Sequence, residues 1–264
     1  MRFSLVLLTA LLSGQANAGP KTFESEGVYA ANSTISQAPP RSTHALIEPD
    51  GDIWAADFYQ RMEADSDFII TGEIHVKTGD GIALDYVMNP PVPLSIKTTT
   101  TRHTVRFLMT QYVDGASRPP NYYNAPFAQY KPGPFDVDLI RLPRAKLDLR
   151  TGSYKTTGYA LDFAITFNQD EFSGYNGNCP FTGKVKDGED KHYKRMTLTY
   201  TNACYLGSSK PFPVLKNSKL EGVVFASKRT DNLSGHPVET DVIVMIMRPK
   251  AGQYNLGFSR MFNR

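Results

Sequence analysis

Ala160-Leu161-Asp162-Phe163-Ala164-Ile165-Thr166-Phe167 is the stretch that decides the fold. Leu161, Phe163, Ile165 and Phe167 occupy every second position, with Ala160, Asp162, Ala164 and Thr166 between them. Side chains of an extended chain point alternately to opposite faces, so this spacing predicts a strand with one face in a core and the other in water. The same period recurs on both sides of it. Leu147 and Leu149 alternate with Lys146, Asp148 and Arg150, and Ile74 and Val76 alternate with Glu73, His75 and Lys77. Val105-Arg106-Phe107, Thr197 to Thr201, Leu220 to Phe225 and Val242 to Met247 read the same way. Turn chemistry separates them in Thr78-Gly79-Asp80-Gly81, Arg150-Thr151-Gly152-Ser153 and Asn232-Leu233-Ser234-Gly235. About eight to ten strands result. No linker divides them, so residues 44–264 are expected to form a single all-β domain, an antiparallel β-sandwich or flattened barrel.

One segment breaks the period. Asp50-Gly51-Asp52 precedes a run in which Ala55, Phe58, Tyr59 and Met62 fall at helical spacing, with an Asp available as cap. That pattern predicts one short helix near residues 52–63, with the single Trp54 docking it on the core.

The first eighteen residues have the three-part layout of a cleaved secretory leader: Arg2, an apolar run from Leu5 to Leu12, and the small-residue site Ala16-Asn17-Ala18. Export to the periplasm or the exterior is therefore expected. Residues 19–43 mix Ser, Thr, Asn, Gln and Pro with few large apolar groups, which predicts a flexible N-terminal arm. After the leader no apolar run approaches the roughly 20 residues of a membrane helix, so no membrane span is expected.

Cys179 and Cys204 are the two cysteines of the chain. In an oxidising compartment such a pair is expected to form a disulfide, here across a polar segment read as a loop between extended pieces. The spacing is not Cys-x-x-Cys, so a structural staple is expected rather than a redox pair.

The formal net charge of +3 is small, and Lys and Arg are scattered without a run of five. No nucleic-acid partner is expected, and an acidic membrane has weak electrostatic support. The chain contains no Gly-x-Ser-x-Gly elbow, no His-Glu-x-x-His pair, no phosphate loop and no glycine-rich dinucleotide turn. No catalytic residue, cofactor or metal site is therefore assigned. The nearest thing to a metal cluster is Asp187, Glu189, Asp190 and His192, which reads as a solvated turn. Asp136 and Asp138 would share one face of a strand, the sole geometry offered for a carbohydrate-active enzyme.

The most unusual composition lies between Gln111 and Phe135, where Tyr112, Tyr122, Tyr123, Phe127 and Tyr130 stand among five prolines. Proline holds a loop extended and tyrosine offers a flat apolar face with a polar tip, a combination suited to a sugar ring or a partner surface. A second aromatic-polar segment, Phe172 to Asn178, leads into Cys179 and reads as an irregular turn. The expected function is a non-enzymatic exported protein that binds a glycan or a protein partner through aromatic loops. The alternatives are a carrier with an apolar ligand in a barrel cavity, a carbohydrate-active enzyme, or a structural subunit of a surface assembly.

Overall fold

The computed structural model describes residues 26–32, 41–59, 62–74, 80–85, 92–100, 104–111, 135–149, 151–156, 162–189, 191–206, 212–233, 236–250 and 257–264. They form eighteen strands and no helix, so the protein is all-β. The expected leader, residues 1–18, lies outside the described residues.

The first eight strands are β1 (Gly27–Asn32), β2 (Arg41–Ile47), β3 (Asp52–Tyr59), β4 (Met62–Ile74), β5 (Asp80–Asp85), β6 (Val92–Thr100), β7 (Thr104–Gln111) and β8 (Phe135–Arg141). Each pairs antiparallel with the next, and β8 returns to β1 through Tyr29↔Arg141 and Ala30↔Ile140, closing a barrel. Closure rests on these two residue pairs and on Leu142 N donating to Val28 O at 2.8 Å.

The second half supplies β9 (Thr151–Thr156), β10 (Phe163–Asn168), β11 (Glu171–Asn176), β12 (Cys179–Asp187), β13 (Tyr193–Tyr200), β14 (Cys204–Leu206), β15 (Phe212–Val214), β16 (Lys219–Leu233), β17 (His236–Pro249) and β18 (Phe258–Asn263). Eight of these form a sheet in the order β18-β17-β16-β13-β12-β11-β10-β9, and β14 and β15 make a separate hairpin between β13 and β16. The sheet curls until its two edges meet through side chains, with the rings of Tyr154 on β9 and Phe262 on β18 5.5 Å apart.

The inside of this curl is a packed aromatic core. Phe163, Phe167, Phe172, Phe181, Tyr200 and Phe262 are each at most 3% exposed, with Leu198, Val224 and Met245 among them. Phe172 lies opposite Gly183 in register, and a Cβ on Gly183 would come within 2.1 Å of that ring. Glycine there lets the phenylalanine lie down on the neighbouring strand. Arg260 enters the same interior, its guanidinium donating to Asn176 Oδ1 at 2.8 Å and lying 5.1 Å from the ring centre of Phe163.

A second core joins the two halves. Leu46, Trp54, Ala56 and Phe58 from β2 and β3 pack on Tyr193, Val223, Phe225, Val242, Val244, Ile246 and Met261. The outer wall of the barrel is therefore also one layer of a sandwich. Strands β2 and β3, with residues 222–225 of β16 and 242–247 of β17, are consequently buried on both faces.

That double burial explains the main correction. The helix expected near residues 52–63 is absent: Asp52–Tyr59 is β3, and β4 starts at Met62. Ile53, Ala55 and Asp57 face the barrel interior with cross-strand partners such as Ile47 and Ala45, while Trp54, Ala56 and Phe58 face the second sheet. With apolar residues wanted on both sides, alternation disappears and a helical spacing emerges by accident. Asp50-Gly51 is not a cap but the β2–β3 turn, closed by Gly51 N donating to Glu48 O at 2.9 Å, with Gly51 at φ 98°.

Three smaller differences follow. Within the expected flexible arm, Gly27–Asn32 is β1, held by β2 on one side and β8 on the other. Thr151-Gly152-Ser153 is strand rather than turn. Phe172 to Asn176 belongs to β11, and the turn is confined to Gly177 and Asn178. Cys179 and Cys204 form the expected disulfide, Cα atoms 5.4 Å apart, tying β12 to the β14–β15 hairpin.

Candidate functional site

The outer face of β9 to β13 carries the most regular array of polar side chains in the described structure. Thr166 on β10 pairs with Ser153 on β9 and with Ser173 on β11. Ser173 pairs with Thr182 on β12, which pairs with Thr199 on β13. Partners in an antiparallel ladder share a face, so these registers line up five hydroxyls across five strands. At a strand spacing of about 4.8 Å the row is about 19 Å long. Ser153 Oγ and Thr166 Oγ1 lie 3.0 Å apart, and four of the five residues are exposed.

A second polar row runs beside it: Thr151, Asn168, Glu171, Lys184 and Thr197 are successive partners. Lys184 Nζ and Glu171 Oε1 are 3.9 Å apart, a loose exposed pair that leaves both groups accessible. A shallow groove of about 630 Å³ lies over Thr166, Ser173, Thr182, Lys184, Thr197 and Thr199. On the other side of the hydroxyl row is Tyr175, two residues along β11 from Ser173 and 41% exposed. A step of two residues in a strand is roughly 7 Å. Its ring thus borders the hydroxyls on the same face. Beneath the platform sits the aromatic core, so the strands that carry it are anchored from behind.

Two buried polar clusters lie elsewhere, both between the barrel and the second sheet. Glu48, fully buried in the β2–β3 turn, accepts hydrogen bonds from Trp54 Nε1 at 2.8 Å and Tyr193 Oη at 2.9 Å, and from Arg195. Burial pushes its carboxyl pKa up, opposed by the Arg195 charge and the two neutral donors. Asp50 and Asp52 offer oxygens within 4.8 Å of one another and of Glu48, a geometry that would suit a cation. Arg195 already stands among them, 3.3 Å from Asp50 Oδ2, and supplies positive charge to the group. Behind it Arg248 lies 4.6 Å from the Trp54 ring centre and donates to Glu221 at 3.0 Å and to Thr71 at 2.9 Å. The cluster is a clamp between the barrel turn and β13.

The other cluster surrounds His44, which is fully buried on β2. Its Nδ1 is 2.8 Å from Ser227 Oγ on β16 and its Nε2 is 3.1 Å from Ser42 Oγ. Burial, reinforced by the charge of Arg229, lowers its pKa to about 3. A neutral ring wedged between two serines and the edge of Phe58 is a polar pin across the interface.

Of the residues expected to bind, Tyr112, Tyr122, Tyr123, Phe127 and Tyr130 lie outside the described residues. The strands on either side of them, β7 and β8, are paired, with Met109 opposite Phe135. His75, His103 and Asp190 also lie outside the described residues. Asp187 is ion-paired with Lys194. Asp136 and Asp138 occupy one face of β8, opposite Leu108 and Arg106. The hydroxyl row escaped sequence reading because its members are scattered from 153 to 199 and only the register aligns them.

No protein-family model and no curated protein matches the chain.

Proposed function

We propose that this is an exported, non-enzymatic glycan-binding protein whose platform is the hydroxyl row of β9 to β13. The observation that carries the reading is the register Ser153-Thr166-Ser173-Thr182-Thr199 with Tyr175 alongside. A row of hydroxyl donors and acceptors at regular spacing matches the hydroxyl-rich edge of an extended polysaccharide, and a tyrosine face takes the apolar side of a sugar ring. Rigid strands lower the ordering cost of binding. The disulfide accords with an oxidising, extracytoplasmic compartment. An outer-face ligand is supported by the interior of the second sheet being occupied by its own aromatic side chains.

The aromatic segment around Tyr122 and Tyr123 is a second contact in this proposal. Affinity electrophoresis through gels containing single polysaccharides tests the two surfaces separately. Retardation by at least one neutral polysaccharide is expected, reduced about thirtyfold by Tyr175→Ala combined with Thr182→Val, since one aromatic contact and one hydrogen bond contribute about 1 kcal/mol each. Tyr122→Ala with Tyr123→Ala is expected to weaken the same complex. Undiminished retardation of the Tyr175/Thr182 variant at an unchanged melting temperature would move the site away from the platform.

A further inference from the structure

The lysines that look scattered in sequence are gathered by the fold at one rim of the second sheet. Register places the end of β13 beside the start of β16, through Thr199↔Lys219, and the start of β16 beside the end of β17, through Leu220↔Pro249. Lys216, Lys219 and Lys250 therefore stand at the same strand ends, and all three are exposed. Asp162, before β10, and Glu221, two residues along β16 from Lys219 and paired with Arg248, are the acids nearest this rim among the described residues.

The same rim carries an apolar surface that packing does not account for. The inner face of the β14–β15 hairpin, Cys204, Leu206 and Val214, closes the end of the aromatic core. Its outer face presents Tyr205, 61% exposed and paired with Pro213, and the turn that follows presents Leu215, 70% exposed. These side chains are held outward by a built turn: Asn217 N donates to Tyr200 O at 2.9 Å, Ser218 N donates to Leu215 O at 3.1 Å, and Asn217 sits at φ 67°. The disulfide fixes the hairpin from the other side.

We propose that this rim is a membrane-docking face, on which the β14–β15 hairpin rests against an anionic phospholipid surface. Leu215 and Tyr205 enter the boundary between headgroups and acyl chains, where aliphatic and tyrosine side chains partition favourably. Lys216, Lys219 and Lys250 meet the lipid phosphates, and that charge complementarity selects a bilayer over an apolar protein groove. The hydroxyl row meets this rim at Thr199, whose partner is Lys219, so the inference is tested at Lys216, Lys250 and Leu215, which are not part of the row.

Sedimentation of the full mature chain with vesicles of phosphatidylglycerol and phosphatidylethanolamine, against vesicles of phosphatidylcholine, tests it. Binding to the anionic vesicles is expected, absent on the neutral ones and falling as salt is raised, a readout that needs no substitution. Lys216→Ala and Lys250→Ala are each expected to weaken it about fivefold, and Leu215→Asp to abolish it, with melting temperatures unchanged because all three side chains are exposed. Equal sedimentation with both lipids, none with either, or full binding by the folded Leu215→Asp chain would overturn the proposal. Capture of a protein partner by the rim without any vesicle binding would do the same.

Discussion

Glu48 and His44 are both buried polar residues at the barrel–sheet interface, and they respond to change in different ways. Glu48 collects three donors in a site without water access, so Glu48→Ala removes the acceptor that Trp54, Tyr193 and Arg195 share. Arg195 is half exposed and keeps its solvation, so the cost comes from the buried Trp54 and Tyr193 donors left without an acceptor, about 2 to 4 kcal/mol, read from urea denaturation at neutral pH. His44 is neutral in the fold, with a pKa of about 3 against an ordinary value of 6.5. The unfolded chain therefore binds a proton below 6.5 that the folded chain refuses. Stability from this residue is fully present above 6.5 and is lost as pH falls toward 3, at about 1.4 kcal/mol per pH unit. Glu48 and Asp52, whose carboxyl pKa values burial raises, act in the opposite direction. The comparison that isolates the histidine is His44→Gln against the native chain: its stability is expected to fall less steeply between pH 6 and 4, and parallel curves would exclude the neutral-histidine account. Neither residue was marked by sequence. Ser42-Thr43-His44 looks like loop polarity until β16 is laid over it.

Among the elements, those with one wet face were legible and those with two buried faces were not. Phe163, Ile165 and Phe167 are buried while Thr166 and Asn168 are exposed, and they form β10 as expected. Trp54, Ala56 and Phe58 serve one core while Ile53 and Ala55 serve another, and the period that identifies a strand was lost. The hydroxyl row was partly legible: the period placed Thr166 and Thr199 on wet faces, whereas Ser153 and Ser173 read as turn residues, and cross-strand alignment is a long-range property that no local pattern encodes. Cysteine pairing needed no such information. The disulfide closes a separation of 25 residues and pins a short hairpin that has few contacts of its own. Cys179→Ser with Cys204→Ser is expected to lower stability by about 3 to 4 kcal/mol. Hydrogen exchange is expected to show the loss first as opening of β14–β15, and uniform exchange across β10 to β13 instead would assign the bond a wider role.

For the whole molecule, all-β organisation was readable from period and turns, whereas the division into a closed barrel and a curled sheet was not, because both are written in the same hairpin grammar. The shared core makes them one mechanical unit despite separate hydrogen-bond ladders. Trp54, the single tryptophan, sits in that core and reports on the interface alone, while far-ultraviolet dichroism reports on all strands. The two signals are expected to give one coincident thermal transition, and an earlier fluorescence midpoint would show the halves parting before they melt. The up-and-down order of both ladders also bears on how the chain acquires its shape. Nearly every strand meets its own predecessor, so pairing proceeds by short loop closures from the N-terminus onward. The exceptions are the pairing of β13 with β16 across the β14–β15 hairpin and, at longer range, the meeting of Tyr29 with Arg141, which must wait until some hundred and ten residues have emerged. Until then the cylinder is unfinished, with the outer edges of β1 and β8 open to any passing strand, and the moment of closure sets when they are shielded from a neighbouring chain.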